Sequence, residues 1–169
     1  MRIQIVSATG TGPTKLAAFD AALRAAGIAN YNLLTLSSVI PPAARVDEVS
    51  ASELQLTGRW GDRMYVVMAH QETDRPGQEA WAGIGWVQNP DTLQGLFVEH
   101  EGHSRDEVSG DIAASLGSLV AVRPSVPFEA AQMKLRGVRC DSEPVCALVV
   151  AVYETASWET ADLCAPIIG

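Results

Sequence analysis

The sequence predicts a single α/β domain of the mixed α+β kind, and three observations lead to this fold class. The 169 residues are 47% hydrophobic and 19% charged, which is the composition of one globular domain with a substantial core. Several short segments alternate apolar and polar residues, or are apolar throughout, as β-strands are. Two longer segments have the apolar spacing and the end signals of α-helices. Because the chain contains neither a repeat nor a linker, the domain is expected to span residues 1–169.

The first strand and the first helix are predicted within the N-terminal 27 residues. Residues 2–7 alternate apolar and polar side chains and predict a strand, and the glycine-rich residues 9–13 predict a sharp turn. A helix is expected from Thr14 to about Ala26, where Gly27 ends it. The apolar stripe of this helix is predicted to consist of Leu16, Phe19, Leu23 and Ala26. Asp20 follows Leu16 by four residues and is therefore expected at the core edge of the helix.

The remaining elements are mostly strands. Residues 32–36 predict a strand, and residues 38–50 a loop rich in proline and alanine. Ser104 and Glu107 form a capping box, which predicts the start of a second helix. The apolar face of that helix is predicted to consist of Val108, Ile112, Leu116 and Val120. Further strands are predicted at residues 64–69, 80–87, 95–101, 133–138 and 145–153, the last two forming a hairpin.

Composition and charge restrict the function. A net charge of −8 disfavours nucleic acid and anionic membranes as partners and suits cationic small molecules. No apolar run approaches the roughly 20 residues of a membrane helix, and the N-terminal segment lacks the apolar core of a signal peptide. A cytoplasmic location is therefore expected. Cys140, Cys146 and Cys164 are interpreted as reduced thiols that fill the core, with one disulfide as the alternative.

Three common kinds of site are disfavoured by residue spacing. The glycine-rich turn lacks the spacing of a phosphate-binding loop, and no G-x-S-x-G elbow of a serine hydrolase occurs. The segment 99–103 contains two glutamates and two histidines, but Glu99 and Glu101 share one strand face while His100 points to the other. This spacing is not that of a zinc site, so no metal is expected there.

The serine pair Ser37–Ser38 ends a strand-like apolar run and is followed closely by two prolines. Three segments are informative in combination: residues 15–30, residues 32–42 with the serine pair, and residues 95–102 with the E-x-E-G motif. Their sequence, order and spacing resemble the family of pyruvoyl-dependent arginine decarboxylases. The resemblance extends to about residue 155, and the serine and glutamate segments are specific only together.

The resemblance implies self-cleavage between Ser37 and Ser38 into a β chain, residues 1–37, and an α chain, residues 38–169. Ser38 would attack the carbonyl of Ser37, and elimination and hydrolysis would convert Ser38 into a covalent pyruvoyl group, the cofactor. This ketone would form a Schiff base with the amine of the substrate and accept the electrons that are released as carbon dioxide leaves. The implied reaction converts arginine to agmatine and carbon dioxide.

The resemblance also implies roles for individual residues. Glu99 matches the acid that protonates the product carbanion, with Glu101 as the alternative. Asp20 matches the carboxylate that binds the substrate guanidinium, since a carboxylate accepts two parallel N–H bonds. Asn32 matches an asparagine that polarises the Ser37 carbonyl or hydrogen-bonds the pyruvoyl oxygen.

At the level of the whole molecule, the family implies an αββα-type sandwich. It also implies a homotrimer, or a dimer of trimers, with sites between protomers. Two other functions stay open from the sequence alone. One is the same chemistry on a different amino acid, and the other is an uncleaved, non-catalytic homologue that acts as a binding or assembly subunit.

Overall fold

Two β-sheets stacked face to face, each covered by one helix, form the four layers of the protein. The computed structural model describes residues 1–158. The elements are β1 Arg2–Thr11, α1 Lys15–Ala25, β2 Asn32–Thr35, β3 Val39–Ile40, β4 Arg45–Glu48, β5 Arg63–Thr73, β6 Glu79–Gln88, β7 Gly95–Gly102, α2 Arg105–Ala121, β8 Gln132–Arg139 and β9 Val145–Ala156. The strand order is β2-β5-β9-β1-β4 in one sheet and β3-β7-β6-β8 in the other. The predicted αββα sandwich is confirmed.

Three apolar clusters hold the four layers together. The central cluster lies between the sheets and includes Ile5, Val67 and Ala147 from one sheet and Ile84 and Phe97 from the other. A second cluster joins α1 to the five-stranded sheet, and a third joins α2 to the four-stranded sheet. Burial of this apolar surface is the main contribution to the stability of the fold.

The first strand is longer than predicted, because β1 pairs with β9 as far as Thr11. The glycine-rich segment is therefore partly strand, and its glycines serve close packing. A Cβ atom at Gly10 would collide with the backbone of α1 at Ala18 and Ala22. Gly10 thus allows α1 to lie directly against β1.

The predicted apolar stripe of α1 is wrong in part. The residues of α1 that are fully buried are Ala18 and Ala22, whereas Leu16 is 76% exposed. The helix approaches the sheet so closely that small side chains line the contact, and the larger Leu16 is turned outward. Asp20, expected at the core edge, is likewise exposed. The predicted cap is correct, since the side chain of Thr14 accepts a hydrogen bond from the Ala17 amide.

The predicted loop over residues 38–50 contains two short strands. β3 pairs with β7, and β4 runs parallel to β1. The predicted hairpin of the last two strands is also wrong, because β8 pairs with β6 in one sheet and β9 lies between β5 and β1 in the other. β9 is buried from Val145 to Tyr153 and suits a central position, while the half-exposed β8 suits a sheet edge.

The second helix begins as predicted. Ser104 caps α2 by accepting from the Glu107 amide, and the Glu107 carboxylate accepts from the His103 amide. Val108, Ile112 and Leu116 are buried against the sheet. Neither α1 nor α2, the helices described among residues 1–158, is long and apolar enough to cross a membrane.

Two of the three cysteines lie in the described part of the chain. Cys140 and Cys146 are buried free thiols, as predicted. Burial, together with the nearby charge of Glu72, raises the pKa of Cys146 to about 12, so this thiol is protonated at neutral pH. Cys164 lies outside the described residues.

Candidate active site

The serine pair lies where the chain crosses from one sheet to the other. β2 ends at Thr35 in the five-stranded sheet, and β3 begins at Val39 in the four-stranded sheet. Ser37 and Ser38 occupy this crossing, with Ser37 exposed and Ser38 half-buried. The peptide bond between the two serines therefore lies in the short connection that joins β2 to β3 and so links the two sheets.

The backbone of Ser38 is in the left-handed region, with φ of 62°. For a residue with a Cβ atom this conformation costs about 1–2 kcal/mol. The neighbouring backbone is fixed by hydrogen bonds on both sides of the junction. The Phe97 amide donates to the Ser38 carbonyl at 2.8 Å, and the Leu36 amide donates to the Val66 carbonyl at 2.8 Å. The pairing of both flanks with neighbouring strands thus maintains a strained Ser38.

The hydroxyl of Ser38 points at the carboxyl group of Glu99. Its Oγ atom lies 2.8 Å from both Oε1 and Oε2 of Glu99, which is hydrogen-bonding distance. Glu99 is on β7, on the same strand face as Phe97, whose ring belongs to the cluster between the sheets. A carboxylate in this position can accept the hydroxyl proton when the serine oxygen acts as a nucleophile.

Tyr153 supports the same junction from β9. Its hydroxyl donates to the carbonyl of Val39 at 2.9 Å, and its ring packs edge-on against Phe97 at 6.2 Å. Burial raises the pKa of Tyr153, and the negative charge of Glu99 raises it further. Tyr153 therefore remains a hydrogen-bond donor at neutral and moderately alkaline pH.

A cleft of about 540 Å³ opens beside Ser38, between β7 and α2. Its lining residues are Ser38, Phe97, Val98, Glu99, His100, Ala114, Ser115, Ser118 and Leu119. His100 points towards α2, and its Nε2 atom is 2.8 Å from the hydroxyl oxygen of Ser115. The cleft thus combines an apolar wall with a few polar groups and is large enough for a small ligand.

The structure brings some of the predicted residues together and leaves others apart. Ser37, Ser38 and Glu99 meet at the crossing, whereas Glu101 is exposed and does not line the cleft. Asp20 is on α1 and forms an exposed ion pair with Arg24 at 3.2 Å. The side-chain amide of Asn32 donates to the Gly61 carbonyl. Within residues 1–158 of one chain, neither Asp20 nor Asn32 lines the Ser38 cleft.

Sequence reasoning missed Tyr153, His100 and Ser115 as residues of this site. The sequence does contain an indication for Tyr153. Its hydroxyl is a polar group at the end of the apolar stretch 147–153, and a buried tyrosine hydroxyl requires a hydrogen-bond partner. For His100 the sequence suggests only a metal site, which the spacing of residues 99–103 disfavours. Ser115 had no signal, since its approach to His100 depends on how α2 packs against β7.

The four-layer fold and the serine–glutamate contact define the class of protein, because they are the arrangement expected of a pyruvoyl-dependent decarboxylase. Residues 2–157 match the sequence profile of the pyruvoyl-dependent arginine decarboxylase family, and the chain belongs to this family. The family predicted from the three segments is confirmed.

Two relatives, from Halobacterium salinarum and Methanococcoides burtonii, agree with this assignment. The pyruvoyl-dependent arginine decarboxylase of Halobacterium salinarum is 37% identical over 155 residues, which cover 90% of this chain and 93% of the relative. That of Methanococcoides burtonii is 34% identical over 129 residues, covering 75% and 71%. A solved pyruvoyl-dependent histidine decarboxylase matches with a TM-score of 0.45 and 18% identity, over 62% of this chain and 54% of that chain.

Proposed function

We propose that the protein cleaves its own chain between Ser37 and Ser38 and then decarboxylates arginine to agmatine and carbon dioxide. The observation that carries this proposal is the contact of the Ser38 hydroxyl with both carboxyl oxygens of Glu99, 2.8 Å each, at a backbone in the left-handed region. Membership of the family and the names of its relatives support arginine as the substrate.

The surroundings of Ser38 fit a pyruvoyl group. Ser38 already lines a cleft that is large enough for a small substrate, so a ketone formed at this position would face it. The carbonyl of Ser38 accepts a hydrogen bond from Phe97, which would orient the group. When formed, the group would supply an electron sink for the bonding electron pair that stays on the substrate carbon as carbon dioxide leaves.

Cleavage begins with the attack of Ser38 Oγ on the carbonyl carbon of Ser37. Glu99 accepts the hydroxyl proton, the C–N bond breaks, and an ester joins Ser37 to the side chain of Ser38 while the amine of Ser38 becomes free. Loss of the Cα proton of Ser38 then expels the Ser37 carboxylate. Hydrolysis of the resulting dehydroalanine consumes one water and releases ammonia, which leaves the ketone.

The proposed roles in decarboxylation follow from where each residue lies. Glu99 lies next to Ser38 and holds a proton for the substrate carbon that loses its carboxylate, with the more exposed Glu101 as the weaker candidate. Asn32 polarises the Ser37 carbonyl or hydrogen-bonds the ketone after its amide leaves Gly61.

Asp20 binds the guanidinium group of a substrate held at a different copy of the chain. Within one chain, α1 covers the five-stranded sheet, whereas the cleft opens at the β7 edge of the four-stranded sheet beside α2. Asp20 and Ser38 therefore face different surfaces, and a homotrimer or dimer of trimers with sites between protomers would bring them together.

The free thiols Cys140 and Cys146 support a reducing, cytoplasmic location.

Intact-mass spectrometry and an assay of carbon dioxide release test the proposal. The purified protein should separate under denaturing conditions into residues 1–37 and 38–169, the latter with an N-terminal pyruvoyl group, and should release carbon dioxide from arginine. The Ser38→Ala variant should stay full-length and inactive. A wild-type chain that stays intact after prolonged incubation would refute the cleavage, and a cleaved chain that is inactive on arginine would refute the substrate.

Combining an inactive variant with a variant of weakened substrate binding tests the shared site. Ser38→Ala and Asp20→Asn chains, co-expressed so that they assemble together, should regain activity at low arginine concentration, because some sites then combine an intact Ser38 with an intact Asp20. Each variant expressed alone is the control. Recovery would not occur if both residues served the same copy.

A further inference from the structure

We propose that His70, Glu72 and Cys146 form a binding site for one divalent transition-metal ion of the zinc type. The site lies between α1 and the five-stranded sheet. It shares no residue with the Ser38 cleft and does not depend on the proposed function. All three residues belong to the segment 38–169, so cleavage would leave the site on one chain.

Two neighbouring strands place the three side chains together. Glu72 on β5 stands directly opposite Cys146 on β9 in the antiparallel register. His70 precedes Glu72 by two residues on β5, so both side chains project from the same face of the sheet. The candidate ligand atoms of the three residues all lie within 4.8 Å of one another. Because β5 and β9 are long paired strands, this grouping is held by rigid backbone.

The distances are close to those of a tetrahedral zinc site. His70 Nδ1 lies 2.8 Å from Glu72 Oε1, and Cys146 Sγ lies 4.0 Å from the same oxygen. Zinc bonds of 2.0–2.3 Å place neighbouring ligand atoms about 3.3–3.8 Å apart. The observed distances lie on either side of this range, and small side-chain rotations of His70 and Glu72 would bring the three ligand atoms to bonding distance of one ion. The ion would replace the protons that now join these groups.

The ligand types select the kind of ion. Calcium and magnesium require shells of oxygen atoms, whereas an imidazole nitrogen, a carboxylate oxygen and a thiolate sulfur together suit zinc and similar ions. A carboxylate and a thiolate carry two negative charges, which a divalent ion neutralises. Three protein ligands leave a fourth position for water or another small ligand.

The surroundings combine rigidity with access. Cys146 is fully buried, and the ring of Phe19 on α1 lies against the imidazole of His70 with centroids 4.5 Å apart. The side chains of His70 and Glu72 remain 37% and 23% exposed, so an ion can enter from the solvent. The packing of α1 therefore fixes the orientation of the histidine while one side of the site stays open.

Residue spacing along the chain does not indicate this site. Its ligands are spaced i, i+2 and then 74 residues apart, and only the pairing of β5 with β9 joins them. The histidine-rich segment that the sequence did single out is used differently, because His103 is directed at the Glu79 carbonyl and His100 at Ser115.

Direct metal binding to the full chain tests the proposal. Protein stripped with EDTA and kept reduced should bind about one zinc ion per chain in isothermal titration calorimetry with zinc chloride. Cobalt(II) should add the near-ultraviolet charge-transfer absorption of a cobalt–thiolate bond. His70→Gln should weaken binding by more than the roughly 10–100-fold that follows from altering residues that only support the ligands. Cys146→Ser should remove the cobalt–thiolate band.

Matched controls exclude other histidines and thiols. His103→Gln and Cys140→Ser should bind zinc and cobalt as the wild type does, and so should the uncleaved Ser38→Ala variant. His70 is partly exposed, so the His70→Gln variant is expected to fold. The cobalt spectrum of the wild-type protein tests for a thiolate ligand without any substitution, and therefore does not depend on the folding of a variant. Absence of stoichiometric binding, no cobalt–thiolate band in the wild type, or binding unchanged in His70→Gln would each overturn the site.

Discussion

The strained backbone of Ser38 leads to a quantitative prediction about two inactive variants. Ser38→Gly and Ser38→Ala both remove the hydroxyl, so neither can cleave and both lose the same hydrogen bonds to Glu99. They differ in the Cβ atom, which at φ of 62° costs alanine about 1–2 kcal/mol that glycine does not incur. Glycine loses more backbone entropy on folding, by about 0.5–1 kcal/mol. We therefore expect Ser38→Gly to be the more stable variant by about 0.5–1 kcal/mol.

Position 37 supplies the control for this comparison. Ser37 is not among the residues with positive φ, so glycine there has the entropy penalty without relief of strain. In the Ser38→Ala background, Ser37→Gly should be less stable than Ser37→Ala by about 0.5–1 kcal/mol. The sign of the glycine effect should thus reverse between adjacent residues, and the double difference measures the strain at about 1–2 kcal/mol.

Urea denaturation at a fixed protein concentration is the appropriate assay, because the comparison requires free energies of unfolding of intact chains. In thermal unfolding each kcal/mol corresponds to about 2–4 °C for a chain of this size. If glycine destabilises position 38 as much as position 37, the junction is not strained and backbone strain has no part in cleavage.

Three further predictions concern Glu99, Tyr153 and Asp20. Glu99→Gln should slow self-cleavage at least tenfold in a mass-spectrometric time course, because an amide cannot accept the Ser38 proton. The control Glu101→Gln should cleave normally, and equal cleavage rates of the two variants would contradict the role of Glu99. Since the folded pKa of Tyr153 is raised, its stabilisation is complete below the unfolded pKa of about 10 and is lost as pH rises, by about 1.4 kcal/mol per pH unit. Tyr153→Phe should remove this alkaline decline in the free energy of unfolding, as measured by urea denaturation, whereas the control Tyr65→Phe should keep it. A decline that is unchanged in Tyr153→Phe would contradict the prediction. Asp20→Asn should cleave normally but raise KM for arginine about tenfold or more, and an unaltered KM would exclude the guanidinium contact.

The sequence predicted the fold class and most strands because burial leaves a periodic pattern. β9 is apolar throughout, and α2 has both its cap and its buried face in the expected positions. Strand partners were less predictable. The hairpin of β8 and β9 was expected because the two strands are close in sequence. Instead, β9, which is buried on both faces, lies between β5 and β1, and β8 forms the edge of the other sheet.

The candidate site was predictable only through local motifs. Ser37, Ser38 and Glu99 stand in recognisable segments, and the pairing of Val39 with Leu96 brings those segments together. Tyr153 reaches the junction from a different sheet, and Ser115 depends on the packing of α2. Such contacts follow from tertiary structure and leave no spacing in the sequence. The exposure of Leu16 was missed for a similar reason, since glycine at β1 decides how closely α1 approaches.

The position of the serine pair at the crossing between sheets has a consequence for the folding history of the protein. The segment before the junction supplies β1, which lies between β9 and β4, and β2, which pairs with β5. Those three partners belong to the segment after the junction. The proposed cleavage would therefore cut the chain into two unequal segments whose strands stay interleaved. It would convert folding from a unimolecular process into an association of two chains. The mature protein should refold at a rate that depends on its concentration, whereas an uncleaved Ser38→Ala protomer should acquire its tertiary fold independently of concentration. Cleavage would thus preserve a fold that only the continuous chain reaches efficiently. Covalent attachment of the first 37 residues would speed folding before cleavage, and the same residues remain part of the folded core afterwards.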